Sequence, residues 1–366
     1  MAQQGKRADM IVHQRDPYNA EPPRAALAGE VLTAVTDFYS RNHGPVPQID
    51  PGAWRLRVDG QVQQKLDLSL ADLRARFAPR TLIATLQCAG NRRAGLIRVR
   101  DIPGEAPWGP GATSTARWTG VSLADVLAAA GLQPGGGGDQ HVEFAASDVS
   151  ADAEPPQPYG SSVSAAKAMA GEVLLAWAMN GQPLTPLHGA PVRVVVPGYI
   201  GARSVKWVHR VTVRSGPSDS YFQAVAYRLL PADTDPRAAV RGEGFALAAV
   251  AVNADILQPD DGATLRAGRT EVTGYAYAGD DRGIRRVDVS LDDGSSWRQA
   301  GLGEEVSPWA WRHWRIGVDL AAGPARITVR AWDSSAAVQP QSAAELWNPR
   351  GYVNNSWASI NVTVLP

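Results

Sequence analysis

Helical periodicity stops at about Asp233 and does not return, and this constrains the fold more than any other feature of the chain. Up to roughly residue 215, capped helical segments alternate with strand-like runs. Beyond the linker-like "DTDPRAAVRGEG" come "TEVTGYAYAG", "IRRVDVSLDDGSSW", "ARITVRAWD" and "SWASINVTVL", short alternating runs separated by Gly, Asp and Pro. Strands at that spacing predict an antiparallel β-sandwich of about 120 residues, immunoglobulin-like in size. A chain of 366 residues is long enough for two domains. The fold expected is α+β: a mixed α/β unit over 1–235 followed by a sandwich over 236–366.

Within the first part, "WRLRVDGQV" alternates like a strand pair turning at Asp59-Gly60. "SLADLRARF" reads as a helix, with Ser69 as N-cap and Asp72 at capping-box spacing. "SLADVLAAAGL" repeats the pattern with Ser122, Asp125 and a closing Gly131. "GGGGDQ" reads as a loop, "HVEFAA" as a strand, "EVLLAWAMNG" as a short buried helix and "APVRVVVPG" as a buried strand. Residues 1–50 read as irregular because prolines interrupt them. Seven of the twelve tryptophans lie between Trp297 and Trp357 and are expected in the sandwich core or at an interface.

Lys plus Arg equals Asp plus Glu at 36 each, so the chain lacks the basic excess of a nucleic-acid binder. No apolar run is long enough to span a membrane. The N-terminus has no signal-peptide core, so the cytoplasm is the expected compartment, or the periplasm if a leader has been removed. A single cysteine rules out an internal disulfide.

That cysteine, Cys88, ends the strand-like "TLIATLQ" and is followed by "AGNRR". Arg92 and Arg93 beside it are expected to lower the thiol pKa. A thiolate there is either a nucleophile or a soft-metal ligand, and residue chemistry leaves both open. Neither C-x-x-C nor H-E-x-x-H occurs, so any metal must draw most of its ligands from outside the protein. Two more loops concentrate cations and small residues: "YSRNHGPVP", with Arg41, Asn42 and His43, and "LHGAPVRVVVPGYIGARSVKW", with His188, Arg193, Arg203 and Lys206. Fixed cations on tight turns suit an oxyanion.

"LQCAGNRR", "RNHGPVP", "VRVVVPGYIGARSVKW" and "WNPRGYVNNSW" closely resemble the sulfite oxidase family of molybdenum enzymes, in order from about residue 38 to the C-terminus. The resemblance implies a molybdopterin-binding catalytic domain over 1–235 and an immunoglobulin-like dimerisation domain over 236–366, hence a homodimer. It implies Mo-molybdopterin as cofactor, no haem in this chain, and Cys88 as the protein ligand to molybdenum. The residues implied to bind the pterin are Tyr39, Ser40, Arg41, Asn42, His43, His188, Arg193, Ser204, Val205 and Lys206. Asp148 is implied as the pterin aspartate, with Asp152 as a substitute. The sulfite cage would be Arg41, Arg93, Trp108, Tyr227 and Arg350, with Trp118 and Arg92 structural. The implied activity is oxygen-atom transfer to sulfite, with electrons passed to oxygen, an external cytochrome or another carrier. The alternative is a relative acting on nitrate, a sulfoxide or another sulfur compound; Arg350 favours sulfite over nitrate.

Overall fold

The computed structural model describes residues 5–132, 139–235 and 237–366. The first part is built on two five-stranded sheets. One runs Leu66–Ser69, Arg55–Gly60, Val208–Ser215, Gln140–Ser150, Gln157–Ser164 in spatial order. The other carries Gln182–Pro183, Leu174–Met179, Thr113–Ser122 and Pro79–Gln87, with Arg193–Val195 pairing on Leu174–Met179. Their inner faces, rich in buried Val and Leu, form one apolar core with the helix Leu123–Ala129.

Local signals behave unevenly. Ser69 caps Leu70–Arg76 through the full capping box, its hydroxyl accepting from the Asp72 amide while the Asp72 carboxylate accepts from the Ser69 amide. Ser122 precedes Leu123–Ala129, but its hydroxyl donates to the Gly171 carbonyl instead of capping. The expected hairpin at Asp59-Gly60 is corrected. Arg55–Gly60 is one strand, and the chain reverses over residues 61–65 to reach Leu66–Ser69. Gly60, at φ 84°, is needed because a Cβ there would lie 2.1 Å from the Val213 carbonyl oxygen.

"EVLLAWAMNG" is also corrected. Leu174–Met179 is a strand with antiparallel neighbours on both sides. A six-residue apolar run buried on both faces carries no period that separates strand from helix. The irregular N-terminus contains a small hairpin, Ile11–Gln14 on Asn19–Glu21. "GGGGDQ" lies mostly outside the described residues.

The C-terminal part is a two-sheet sandwich. One sheet runs Asn253–Gln258, Gly268–Tyr277, Arg312–Leu320, Gly301–Leu302. The other runs Thr264–Arg266, Ala358–Leu365, Gly323–Asp333, Ile284–Ser290, Arg298–Gln299. Val, Ile and Ala side chains fill the space between them, with Trp314 among them. Trp311 packs instead into the core of the first part, and Trp309 beside it. Trp297, Trp332 and Trp357 surround the guanidinium of Arg330. Among the described residues, no helix is long and apolar enough to cross a membrane.

The two parts are tied together next to Cys88. Arg92 turns away from the thiol; its Nε lies 3.2 Å from Asp255, and its Nη atoms donate to the carbonyls of Ser356 and Trp357. The structural role expected for Arg92 is the one observed.

Candidate active site

Cys88 follows directly on the strand Pro79–Gln87, held by its own amide donating to the Ala112 carbonyl. The tight turn Ala89–Asn91 aims Arg93 back across it. Gly90 lets the guanidinium come close: a Cβ there would sit 2.7 Å from Arg93 Nη2, and the arginine would have to shift. The thiol is 8% exposed and faces two concavities. Both include Arg41, Asn42, His43, Cys88 and Tyr227 in their walls, so Cys88 stands at their junction.

The first concavity is an inner cavity. Its wall contains Tyr39, Ser40, Asp148, His188, Arg193 and the run Ser204, Val205, Lys206. The loop 39–43 is fixed by the N-terminal hairpin: Ser40 pairs through its backbone with Ala20, and the Asn42 amide donates to the Asn19 side chain. Arg193 donates to the carbonyls of His188 and Ser204, and its guanidinium lies 5.0 Å from the Trp118 ring centroid. Trp118 is buried and donates to the Ala84 carbonyl, a structural position as expected. Arg203 is not in this wall. It closes the Leu247 and Phe222 carbonyls and so holds the fold.

The electrostatics of this cavity are one-sided. Burial lowers Arg193 to about 10, and it lowers Lys206 well below its ordinary value, helped by nearby Arg193. His188 is likewise depressed by burial and then by Lys6 and Lys206, so it is neutral near pH 7. Asp148, the acidic residue in this wall among the described residues, is pushed up to about 6 by burial against the pull of Lys206, and its Oδ1 makes no hydrogen bond to them. Ser40 Oγ is also without a protein partner. A cluster of buried cations with unspent polar atoms fits a polar, polyanionic group such as a pterin phosphate. Asp152 lies elsewhere, exposed and in the wall of the second concavity.

That second concavity is an open cleft of about 590 Å³. Arg41, Arg93, Trp108, Tyr227 and Arg350 are all brought into its wall, with Glu105 and Tyr352. Arg93 reaches it from one part of the molecule and Arg350 from the other. Arg93 Nε donates to the Arg350 carbonyl at 3.0 Å, and the Tyr352 ring centroid lies 5.4 Å from its guanidinium carbon. Tyr227 stacks on Tyr352 and lies 2.6 Å from His43 Nε2.

The thiol itself behaves differently from the sequence expectation. Burial raises the Cys88 pKa, and Arg93 and Arg41 oppose this without overcoming it. The desolvated thiol is therefore protonated until something replaces its proton. Among the described residues, no three His, Cys, Asp or Glu side chains converge to hold a metal. Cys88 thus fits a metal that brings its other ligands with it, as a dithiolene-bound molybdenum does.

Several site residues carry no signal in the sequence. Lys6 is one: its Nζ reaches the Val35 and Phe38 carbonyls and lies 2.7 Å from His188 Nε2. Glu21 is another, accepting from the amides of Gly109 and Gly111 and thereby fixing the chain beside Trp108. Glu105 and Tyr352 sit inside "GEAPWGPG" and "WNPRGYVNNSW", so their segments were legible although their roles were not.

Residues 43–222 match the oxidoreductase molybdopterin binding domain, and residues 245–365 match the Mo-co oxidoreductase dimerisation domain. The chain is 45% identical over 354 residues to the sulfite oxidase of Gallus gallus, covering 94% of this chain and 76% of that enzyme. It shares 36% identity over 364 residues with the sulfite oxidase of Arabidopsis thaliana, 94% of this chain and 92% of the relative. Among solved structures, the sulfane dehydrogenase SoxCD of Paracoccus pantotrophus is similar with a TM-score of 0.80 at 26% identity, covering 97% of this chain and 86% of that one. The cysteine at the junction of a cationic cavity and an arginine-lined cleft, and matches spanning both parts of the molecule, lead to one conclusion: the chain belongs to the sulfite oxidase family of molybdopterin oxidoreductases.

Proposed function

We propose that the chain oxidises sulfite to sulfate, passing the electrons to oxygen or to an external carrier such as a cytochrome. The observation that carries this reading is the position of Cys88 between the two concavities. Arg193, Lys206, His188 and Asp148, with the loop from Tyr39 to His43, would hold the pterin, and Cys88 would bind molybdenum. The chemistry this cofactor supplies when bound is two-electron oxygen-atom transfer. Arg41, Arg93 and Arg350 bind the substrate oxygens, because guanidinium groups pair with small oxyanions and reject uncharged molecules. Trp108 walls the cleft beside them, and Tyr227 orients the anion next to Cys88.

The division into a catalytic unit of residues 1–235 and an association unit of 236–366 belongs to the same proposal, supported by the change from mixed sheets to a sandwich. So does a homodimer formed through the second unit. A second reading, oxidation of another sulfur compound, is favoured by the likeness to the sulfane dehydrogenase.

Steady-state assays of molybdenum-loaded protein with sulfite, against ferricyanide, cytochrome c and oxygen, test the reading; nitrate and thiosulfate serve as parallel substrates. Sulfite turnover is expected with at least one acceptor. Its absence in loaded protein would remove the first reading, and turnover of thiosulfate alone would establish the second.

A further inference from the structure

The substrate cleft holds a carboxylate where an anion is expected to bind. Arg93 spends Nε on the carbonyls of Arg350 and Gly351 and Nη1 on that of Ala106. Its Nη2 faces Glu105, with Oε2 at 3.1 Å. The other oxygen of the same carboxylate, Oε1, lies 3.6 Å from Nη1 of Arg350. One oxygen goes to each arginine, so Glu105 bridges the two guanidinium groups as two oxygens of a small oxyanion would.

The chain is shaped to present it. Glu105 follows Gly104, at φ 81°, in the short segment between buried Ile102 and buried Trp108. Its amide closes a turn onto the Ile102 carbonyl, and the Ala94 amide anchors the Trp108 carbonyl. The side chain is 21% exposed, intermediate between the buried Arg93 at 4% and the solvent. It therefore lies at the edge of the cleft, partly open to solvent. Counting arginines and carboxylates alone, the cleft wall has three of the first and two of the second, Glu105 and Asp152. Only one positive charge is in surplus while Glu105 is in place.

We propose that Glu105 is a specificity-setting residue that acts as an internal competitor for the anion site. It occupies Arg93 and Arg350 in the resting protein, must yield to the substrate, and weakens the hold on dianions more than on monoanions. A doubly charged anion gains most from uncovered guanidinium groups, so it also loses most to a fixed carboxylate. A tightly held dianionic product would slow release, and a built-in competitor prevents that. The inference rests on the reading of this cleft as the anion site.

The test is sulfate and nitrate binding to the holoenzyme by titration calorimetry, for the natural protein, Glu105→Gln and Glu105→Ala. Both substitutions are expected to tighten sulfate about threefold to tenfold, with a smaller change for nitrate. The KM for sulfite should fall in step, and inhibition of turnover by added sulfate should strengthen by a similar factor. If Glu105 is instead a brace that aligns the arginines, Glu105→Ala weakens sulfate and raises KM, and the proposal is overturned; unchanged sulfate binding overturns it equally. If the natural protein binds sulfate but fails to turn over sulfite, the substrate reading falls while the calorimetry still decides the role of Glu105.

Discussion

His43 Nε2 and the Tyr227 hydroxyl lie 2.6 Å apart, joining residues 184 positions apart in the chain. Both groups are neutral near pH 7. Burial depresses the imidazole well below its ordinary value, and burial raises the phenol well above its own. Tyr227 also has a φ of 53°, a left-handed conformation that is uncommon for an aromatic residue, and stacking on Tyr352 helps to hold it. The hydroxyl is thus fixed at the place where cavity and cleft meet.

Removing only that oxygen leaves the aromatic stack intact. Tyr227→Phe is expected to fold normally and to lose about tenfold to a hundredfold in kcat/KM for sulfite, the worth of one well-aligned hydrogen bond in a buried site. Stopped-flow reduction with sulfite in excess checks this. An unchanged kcat/KM would take Tyr227 out of the substrate site.

Beside Cys88, Arg92 and Asp255 form one of the ties between the two parts. Arg92 and Asp255 have side chains 11% and 5% exposed, and Arg92 also closes two carbonyls of the segment leading into the last strand. Arg92→Ala leaves Asp255 with Arg24, at 3.5 Å, as its remaining cation beside the Ile256 amide, and takes one donor from each of the Ser356 and Trp357 carbonyls, of which Ser356 keeps Gln339. A loss of about 2 kcal/mol is expected, because the buried carboxylate keeps only its longer ion pair and the carbonyls lose a charged donor. Urea denaturation of the cofactor-free protein measures it, and a loss below about 1 kcal/mol would show that water replaces the tie.

Buried bases set the pH dependence of that stability. His43 and His188 are held neutral by burial, whereas in the unfolded chain each titrates near its ordinary value of 6.5. Below that pH the unfolded chain takes up protons the folded one refuses, so stability falls as pH falls, by up to about 1.4 kcal/mol per pH unit for each histidine. Lys6 works in the same direction at higher pH. Its folded value is about 7 against an ordinary 10.5, so stability continues to rise with pH between those two values. Asp148, pushed up to about 6, opposes the trend between about 6 and its ordinary 3.8, where the folded chain holds the extra proton. The melting temperature of the cofactor-free protein should therefore climb from just below pH 6.5 to pH 9. His188→Asn should flatten the acid limb, and a flat profile in the natural protein would contradict the buried-base account.

What the sequence made legible is what short segments encode by themselves. Ser69 and Asp72 are three residues apart and form their cap locally. Cys88, Arg93, the loop 39–43 and the run 204–206 sit in contiguous motifs, and the fold brings them together. The strand Leu174–Met179 was not legible, because its short apolar run has no strand period of its own and pairing with Thr113–Ser122 and Arg193–Val195 decides its conformation. The thiol was misjudged for a related reason: two adjacent arginines suggest a thiolate, but Arg92 is drawn to Asp255 and burial dominates what remains. Lys6 beside His188 spans 182 residues, and no spacing rule reaches that far.

Cys88 gives the clearest separation between chemical activation and metal ligation. A thiol activated by its neighbours would be reactive in the cofactor-free protein, whereas a buried thiol with a raised pKa is inert until a metal displaces its proton. Iodoacetamide at pH 7.5 is therefore expected to label Cys88 slowly in the native cofactor-free protein, and far faster in urea. Cys88→Ser changes one atom at a well-packed position and should preserve the fold while reducing sulfite turnover of cofactor-loaded protein by at least about a hundredfold. Fast native labelling would restore the activated-thiolate reading. Full turnover in the serine variant would remove the ligand role, since an alcohol of ordinary pKa is a poor substitute for a soft thiolate on molybdenum.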